Sequence, residues 1–584
     1  MVVLAIFASL MLLSCGTNEI PSPKPPVTKE DEKDPETGEI ILWKEAFDEC
    51  VLKEGPAIQS DDFKNDCENP LSHIDFKSKV WKTVGSSHIC DDDYIRRRNF
   101  GSWVYLFRVS ERPGYLSCGV NGEGKRGIIQ SPMLSEIKEI SDIRVSFDIQ
   151  PDAAATDDFI FKVCLCGVIR SASINGKECA ITEPHNGIDH ILTLGRKSLT
   201  EGWNKVVVEV EKASNGTMLY WAGASSDKNL NHGFYLDNIK VHQVQAMERP
   251  KNCLRVLFWN IQNGMWSDQA ANFVNFRKFI EKYDPDVCVW CEGQTIYKTG
   301  TTTSCAVEDR TFPAGWADFA ASHGHKYTAI GGYRIYADDY FPQIVTSKYP
   351  ITTLVKITET DEEHQQLADS YTDGKSHAAE YHAKCAEGYC PVAHGAAVQQ
   401  IDVKGKKVNI VTLHLWPHAY SYYAKFVIKN QSYDSANSAG GNVQREAEIK
   451  YICAQSIENE AFKGEENWLM MGDFNTRSRL DNWRYGLAED SPFLSSHDYI
   501  LNETFYKDII GEKYPGHFFA TRTWANDSAG NYPPRYDFMY ASPAMYSKVA
   551  NALILNEEWT NMVWSVSNFY DSSDHRPILV DFAM

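Results

Sequence analysis

Five short polar stations in the C-terminal part of the chain hold the residues best suited to chemistry. In order they read Val256-Leu257-Phe258-Trp259-Asn260, Val289-Trp290-Cys291-Glu292, Thr412-Leu413-His414, Gly472-Asp473-Phe474-Asn475, and the pair Tyr536-Asp537 with Ser573-Asp574-His575. Apolar, β-rich runs lead into four of them, and each of those runs ends on Asn, Asp, Glu or His, where a strand leaves the core for solvent. Carboxylates and carboxamides that arrive together at one end of a sheet form an oxygen-rich site for a hard divalent cation, Mg²⁺ or Mn²⁺. Two histidines beside them supply proton-handling groups near neutral pH. Together these groups point to metal-assisted hydrolysis of a phosphate ester.

Such stations meet only if their strands share one end of a layered sheet structure. After Glu248-Arg249-Pro250 the pattern suits that need, because apolar runs alternate with helical stretches. Phe273 to Lys282 places Phe273, Phe276, Phe279 and Ile280 on one helical face, and Gln444 to Phe462 reads as a second helix. A mixed α/β layered domain over residues 253–584 is therefore expected. Residues 41–247 differ: short β-type runs such as Ile143–Ile149 and Asn204–Val210 are separated by Gly, Asn and Asp, which predicts an antiparallel β-sandwich.

The C-terminal stations, in this order and over this span, resemble the endonuclease/exonuclease/phosphatase superfamily with its DNase-I-like, four-layer α/β sandwich. The resemblance is carried by Gly472-Asp473-Phe474-Asn475 and Ser573-Asp574-His575-Arg576-Pro577, supported by Arg535-Tyr536-Asp537-Phe538-Met539-Tyr540 and Ser347-Lys348-Tyr349-Pro350-Ile351. It implies that Glu292, Asp574 and Asn260 hold the metal, with Cys291 standing where the family usually has Gln. It also implies that Asp473 positions or deprotonates the attacking water and that Asn475 holds that water or a phosphate oxygen. His575 would face the phosphate, oriented by Asp537, and His414 would be a second histidine acting as acid toward the leaving oxygen. A carboxylate partner for His414 is not fixed by the pattern; Asp338, Asp339 and Glu380 are the residues considered. An extended Asp473–Asn475 segment would point both polar side chains one way and Phe474 the other. His377, His394 and His418 read as surface residues of nearby loops.

Trp43-Lys44-Glu45-Ala46-Phe47-Asp48 and Gly233-Phe234-Tyr235-Leu236-Asp237-Asn238-Ile239-Lys240-Val241 resemble the two ends of a jelly-roll module of the galactose-binding or carbohydrate-binding type. This implies an all-β jelly-roll at 41–247 with a glycan as its possible ligand, against a purely structural sandwich. Trp81, Trp103 and Trp221 could stack on a sugar, but each reads first as a core or rim residue.

Val2 to Leu13 is an apolar run of signal-peptide length, and Leu12-Leu13-Ser14-Cys15 resembles the lipobox of bacterial lipoproteins, although no basic segment precedes the run. Residues 1–15 are thus expected to be a lipoprotein signal with Cys15 acylated, which would fix the protein to a bacterial membrane at the cell envelope (outer membrane or cell surface). Residues 16–40, rich in Pro and acidic residues, read as a solvated tether. Cys385 and Cys390 are the preferred disulfide pair, whereas Cys288 and Cys291 read as buried thiols within a strand.

The net charge is −20. A chain this acidic lacks the basic footprint that displaces counterions from a polyanion, so strong bulk nucleic-acid affinity is not expected. Segments 294–345, 356–395 and 417–443 should set specificity, and none has the dense Lys/Arg clusters of a nuclease or polyphosphate phosphatase. A phosphate-ester substrate follows, left open among nucleic acid, phospholipid and small esters. The competing reading is a surface glycan-binding lipoprotein whose hydrolase-like domain is inactive.

Overall fold

The computed structural model describes residues 32–47, 115–119, 127–181, 190–262, 273–293, 315–331, 343–357, 392–421, 439–515, 519–522, 534–555 and 573–584, with breaks of one or two residues within 127–262. It also describes three short strands at 81–83, 103–106 and 109–112, and isolated residues at 264, 268, 380 and 424. Cys15, Cys385 and Cys390 lie outside the described residues, as do His377, Asp338 and Asp339.

The N-terminal part contains β1 (Ile40–Glu45), β2 (Trp81–Thr83), β3 (Trp103–Leu106), β4 (Val109–Arg112), β5 (Tyr115–Cys118), β6 (Ile128–Gln130) and β7 (Ser141–Pro151). These are followed by β8 (Phe159–Cys164), β9 (Val168–Ile174), β10 (Lys177–Cys179), β11 (His190–Leu194), β12 (Asn204–Ala213), β13 (Met218–Gly223) and β14 (Phe234–Ala246). One sheet runs β10-β9-β12-β7-β14-β5-β4 with β1 added on β14; the other runs β11-β8-β13-β6-β3-β2. All pairs are antiparallel except β2–β3. The period-2 pattern is visible in β7, where Ile143, Val145, Phe147 and Ile149 are buried in the core that both sheets share. Trp221 lies in that core, 1% exposed and edge-on to Phe147, so it is not a sugar-stacking residue.

The tether ends earlier than residue 40. Asp34 is buried, its Oδ2 sits 2.9 Å from His242 Nε2 on β14, and its Oδ1 accepts the Glu36 N–H. Glu39 pairs with Arg144 of β7. Residues 33–39 are thus a folded turn leading into β1, because a short acidic stretch has found basic partners on the sheet.

The C-terminal part holds β15 (Cys253–Asn260), β16 (Val287–Cys291), β17 (Tyr327–Ile330), β18 (Ile344–Ser347), β19 (Ile351–Ile357), β20 (Ala396–Val403) and β21 (Lys406–His414). It continues with β22 (Trp468–Asp473), β23 (Lys507–Asp508), β24 (Asp537–Ala541), β25 (Val549–Ile554) and β26 (Ile578–Ala583). Helices α1 (Val274–Tyr283), α2 (Trp316–Ser322), α3 (Ala439–Gln455), α4 (Ser495–Glu503) and α5 (Ile509–Lys513) complete the elements needed here. The strands form two mixed sheets, ordered β17-β18-β16-β15-β26-β25 and β19-β20-β21-β22-β24-β23.

Side-chain alternation explains the layering. On β15, Leu254, Val256 and Phe258 face a core between the sheets, while Leu257 and Trp259 face a second core with Phe276, Phe279 and Ile280 of α1 and Trp316 of α2. On β22, Leu469 and Met471 join the central core, while Trp468 and Met470 join a third core with Ile449 and Ile452 of α3 and Ile500 of α4. The order is helix, sheet, sheet, helix, and central strands buried on both faces read as continuous apolar runs. Cys288 and Cys291 are free and fully buried, as the strand reading expected.

Helix α3 starts five residues before the expected Gln444 and stops at Gln455 rather than near Phe462. Gly440 and Gly441 look like a break in sequence, yet Gly441 is inside the helix because its backbone packs on the loop after β21: its N–H donates to Ala419 O, 3.0 Å, and a Cβ there would stand 2.1 Å from His418 O.

The two parts touch along β25, the edge strand of its sheet. Val168 belongs to the central core, and a small cavity between the parts is lined by Gly167, Val168, Lys212, Tyr514, Leu553 and Ile554 among others. Ile140 joins the α1-side core, and Met247 packs against it. The junction is pinned: Arg249 donates to Asp284 O, 2.8 Å, and to Asp286 Oδ2, 2.5 Å. Val168→Asp should lower stability by roughly 3 kcal/mol, the cost of an unpaired charge in an apolar contact, read as a drop in the denaturant midpoint. An unchanged midpoint would show that the parts do not stabilise each other.

The Asp34 turn is pH-dependent. The Glu36 N–H, then His242, hold its carboxyl down to about 2, opposed by burial. A depressed folded-state pKa gives stability that is full above the unfolded value near 4 and disappears as pH falls toward 2. Amide exchange at Glu36 should therefore accelerate over that window, beyond the intrinsic rate change, in the wild type but not in Asp34→Asn.

Candidate active site

Pairing direction brings the stations together. β15 runs parallel to β16 and β21 parallel to β22, while β26 and β24 run antiparallel to β15 and β22. The C-terminal ends of the first four strands therefore lie beside the N-terminal ends of β24 and β26. Asn260, Glu292 and His575 come from one sheet; His414, Asp473 and Asp537 come from the other. Register aligns His414 with Asp473 and Asp473 with Asp537.

Asn260 bridges the sheets. Its fully buried Nδ2 donates to Glu292 Oε1 at 3.1 Å and to Asp473 Oδ2 at 3.0 Å, and its Oδ1 accepts the Gln262 N–H. Glu292 follows β16 in a left-handed conformation, φ +58°, which turns its half-buried side chain toward the site.

His575 Nδ1 lies 2.6 Å from Asp537 Oδ2, as expected of an oriented imidazole. Its Nε2 stands 3.9 Å from Asp473 Oδ2 and 3.7 Å from Asp574 Oδ1. Burial disfavours the imidazolium, but Asp537 and Asp574 outweigh it and raise the pKa to about 9. The ring's backbone is fixed by Trp259 Nε1 donating to His575 O, 2.9 Å, and by Ser573 Oγ, which donates to Asn260 O and accepts the His575 N–H.

Burial pushes Asp473 upward; nearby Asp537 and Glu292 push the same way, against His575. One oxygen each of Glu292 and Asp473 and a nitrogen of His414 lie within 4.8 Å of one another, and so do the corresponding atoms of Asp473, Asp537 and His575. This oxygen-rich, like-charged, buried donor set fits a hard divalent cation, with Glu292 and Asp473 as the groups best placed to hold it; Asn260, expected as a ligand, instead presents its Nδ2 donor to both acids while its Oδ1 is taken by the Gln262 N–H.

Two readings change, and one residue gains an unexpected partner. Asp473 to Asn475 is not extended: β22 ends at Asp473, whose Oδ1 accepts the Asn475 N–H, and Asn475 turns left-handed at φ +50° with Nδ2 donating to Leu415 O. Phe474 does pack away from the site, against Phe538 and His497. Asp574 engages a partner the sequence did not suggest, accepting from Arg522 Nη2 at 2.7 Å. His394 is not a surface residue: it is 1% exposed and stacks on His414 at 4.3 Å with 20° between the rings. His418 is half-buried against Tyr420 and Trp416, and Glu380 is exposed. Among the described residues, Asp473 lies 3.7 Å from His414 Nε2.

Residues missed by sequence reading do much of the positioning. Thr521 Oγ1 accepts the N–H groups of Tyr536 and Asp537, and Thr521 O accepts that of Arg576. Arg535 is buried, forked onto both oxygens of Asp508, bonded to Asp481 and stacked on Phe538. Arg535 opens the Arg535-to-Tyr540 motif, but its partners Asp508 and Asp481 carry no local pattern.

No protein-family model and no curated protein matches the chain. Among solved structures, an AP endonuclease from Archaeoglobus fulgidus aligns over 57% of this chain and all of its own, with 11% identity and a TM-score of 0.34. A 3'-5' exonuclease from Neisseria meningitidis aligns over 56% of this chain and 100% of its own at 13% identity and TM-score 0.33. The human Nocturnin catalytic domain aligns over 57% and 93% at 12% identity and TM-score 0.33.

Proposed function

We propose that the protein is a divalent-metal-dependent phosphoesterase that hydrolyses a P–O bond by in-line attack of water, with a phosphodiester as the preferred substrate class. The observation that carries this reading is the convergence of Glu292, Asp473, Asp537 and His575 from two sheets, joined by Asn260 Nδ2. A bound Mg²⁺ or Mn²⁺ would neutralise charge on the phosphate's non-bridging and leaving oxygens. Asp473, held up in pKa by burial, accepts a proton from water; Asp537 fixes the tautomer and charge of His575, whose Nε2 donates toward a phosphate oxygen. His414 is the group available to protonate the leaving oxygen, and its ring nitrogen lies within the same cluster.

The reading of residues 1–15 as a lipoprotein signal is part of this proposal, as is the glycan-binding jelly-roll reading of 41–247. The anchor rests on Leu12-Leu13-Ser14-Cys15; the glycan reading has lost Trp221 to the core. Cys15→Ala should move the protein from the membrane to the soluble fraction in a bacterial host, and continued membrane association would refute acylation there.

For the chemistry, EDTA should abolish turnover of bis-p-nitrophenyl phosphate and added Mg²⁺ or Mn²⁺ should restore it. Asp473→Ala and His575→Ala should each lower kcat by roughly 10²–10⁴-fold while retaining the wild-type circular dichroism spectrum. Metal-independent turnover, or folded variants with wild-type kcat, would sink the assignment.

A further inference from the structure

Behind the His394–His414 stack lies a carboxylate with no role in the cluster described above. Glu448, on α3, is fully buried, and its two oxygens each accept a backbone N–H at 2.8 Å: Oε1 from Ala393 and Oε2 from Trp416. Ala393 adjoins His394 just ahead of β20, and Trp416 follows His414 at the exit of β21. One carboxylate thus ties together the two segments whose imidazoles stack. Arg445, one turn earlier, reinforces the exit loop by donating to Trp416 O at 2.7 Å and His418 O at 3.1 Å, and it is braced by Asn442. Gly441 seats the start of the same helix on that loop with no room for a side chain.

A buried carboxylate and guanidinium are expensive to desolvate, and neither fills an apolar site. Their main-chain targets all lie within two residues of His394 or His414, or at His418 two residues beyond Trp416. We propose that Glu448, supported by Arg445, is a positioning residue that sets the His394–His414 stack against Asp473, acting through the backbone of Ala393 and Trp416. The catalytic half of this inference rests on the phosphoesterase reading; the clamp itself does not.

The test uses the full chain with Glu448→Gln and Glu448→Ala, each alone and combined with His414→Ala. Glu448→Ala should lower kcat by about 10–100-fold with KM within about twofold. Glu448→Gln keeps one acceptor and should lose less. In the His414→Ala background neither change should add a further loss, because a residue acting through that ring is non-additive with it. Mg²⁺ affinity measured by calorimetry should stay within about twofold, since Glu448 bonds the backbone of Ala393 and Trp416 rather than Glu292 or Asp473. Hydrogen exchange should show faster exchange of both the Ala393 and Trp416 amides in Glu448→Ala and of at least one of them in Glu448→Gln. A full additive loss in His414→Ala, or wild-type kcat in folded Glu448→Gln and Glu448→Ala, would overturn the positioning role. If the wild type shows no metal-dependent turnover, the phosphoesterase reading fails instead, and the exchange result alone decides the clamp, with unaltered protection rejecting it.

Discussion

Three carboxylates, Glu292, Asp473 and Asp537, are drawn into a space where two imidazoles, His414 and His575, and one carboxamide face them. Like charges at such distances repel strongly away from bulk water, and burial penalises each of them further. The arrangement survives because His575 is held as a cation by Asp537 and because Asn260 lends one NH₂ to two acids at once. It remains short of positive charge, which is the physical reason to read it as a cation site rather than a structural hydrogen-bond network. The tethers at the strand ends hold those groups against their repulsion.

That holding is done by strand ends, and strand ends are weak unless tied. The β15–β26 pair is fastened at the site by Trp259 and Ser573, and at the far end by Arg255, whose guanidinium forks onto Asp581 and reaches Tyr283 O. With both ends fixed, the register cannot slip by one residue and turn His575 away. On the second sheet, Arg535 anchors the start of β24 through Asp508 and Asp481, and Thr521 stitches that start to Arg576. Buried ion pairs of this kind add little net stability over apolar packing, but losing one partner strands a charge. Their value here is geometric.

The parts legible in sequence were those written in local pattern. The alternation in β7, the apolar face of α1, and the polar residue closing each apolar run of β15, β16, β21 and β22 are one-dimensional signals, and they placed the layers and most of the cluster. What was hidden depends on contacts distant in sequence. Asn475 turns left-handed because Leu415 offers a carbonyl, sixty residues away. His394 is buried because it meets His414, and the helix runs through Gly440-Gly441 because the His418–Ala419 backbone lies against it. Arg522 has no motif at all, yet it sits on Asp574. Propensity cannot see any of these, since each trades local preference for a tertiary partner.

The N-terminal sandwich follows from the same constraint. Among the described residues β25 pairs only with β26, and β26 is the strand that delivers His575; Ile554 aligns with Ile578, and Leu555 N–H donates to Pro577 O. Left bare, β25 would be an edge with apolar side chains and open hydrogen-bonding groups. Val168 and Lys212 line the same small cavity as Leu553 and Ile554, while Lys212 lies over the ring of Tyr514, whose hydroxyl donates to Ala552 O. Arg249 then binds the junction to the loop before β16, the strand leading to Glu292. The module thus packs on the neighbour of the strand that delivers His575, and a brace of that kind must be rigid where a ligand-fishing appendage on a free linker need not be.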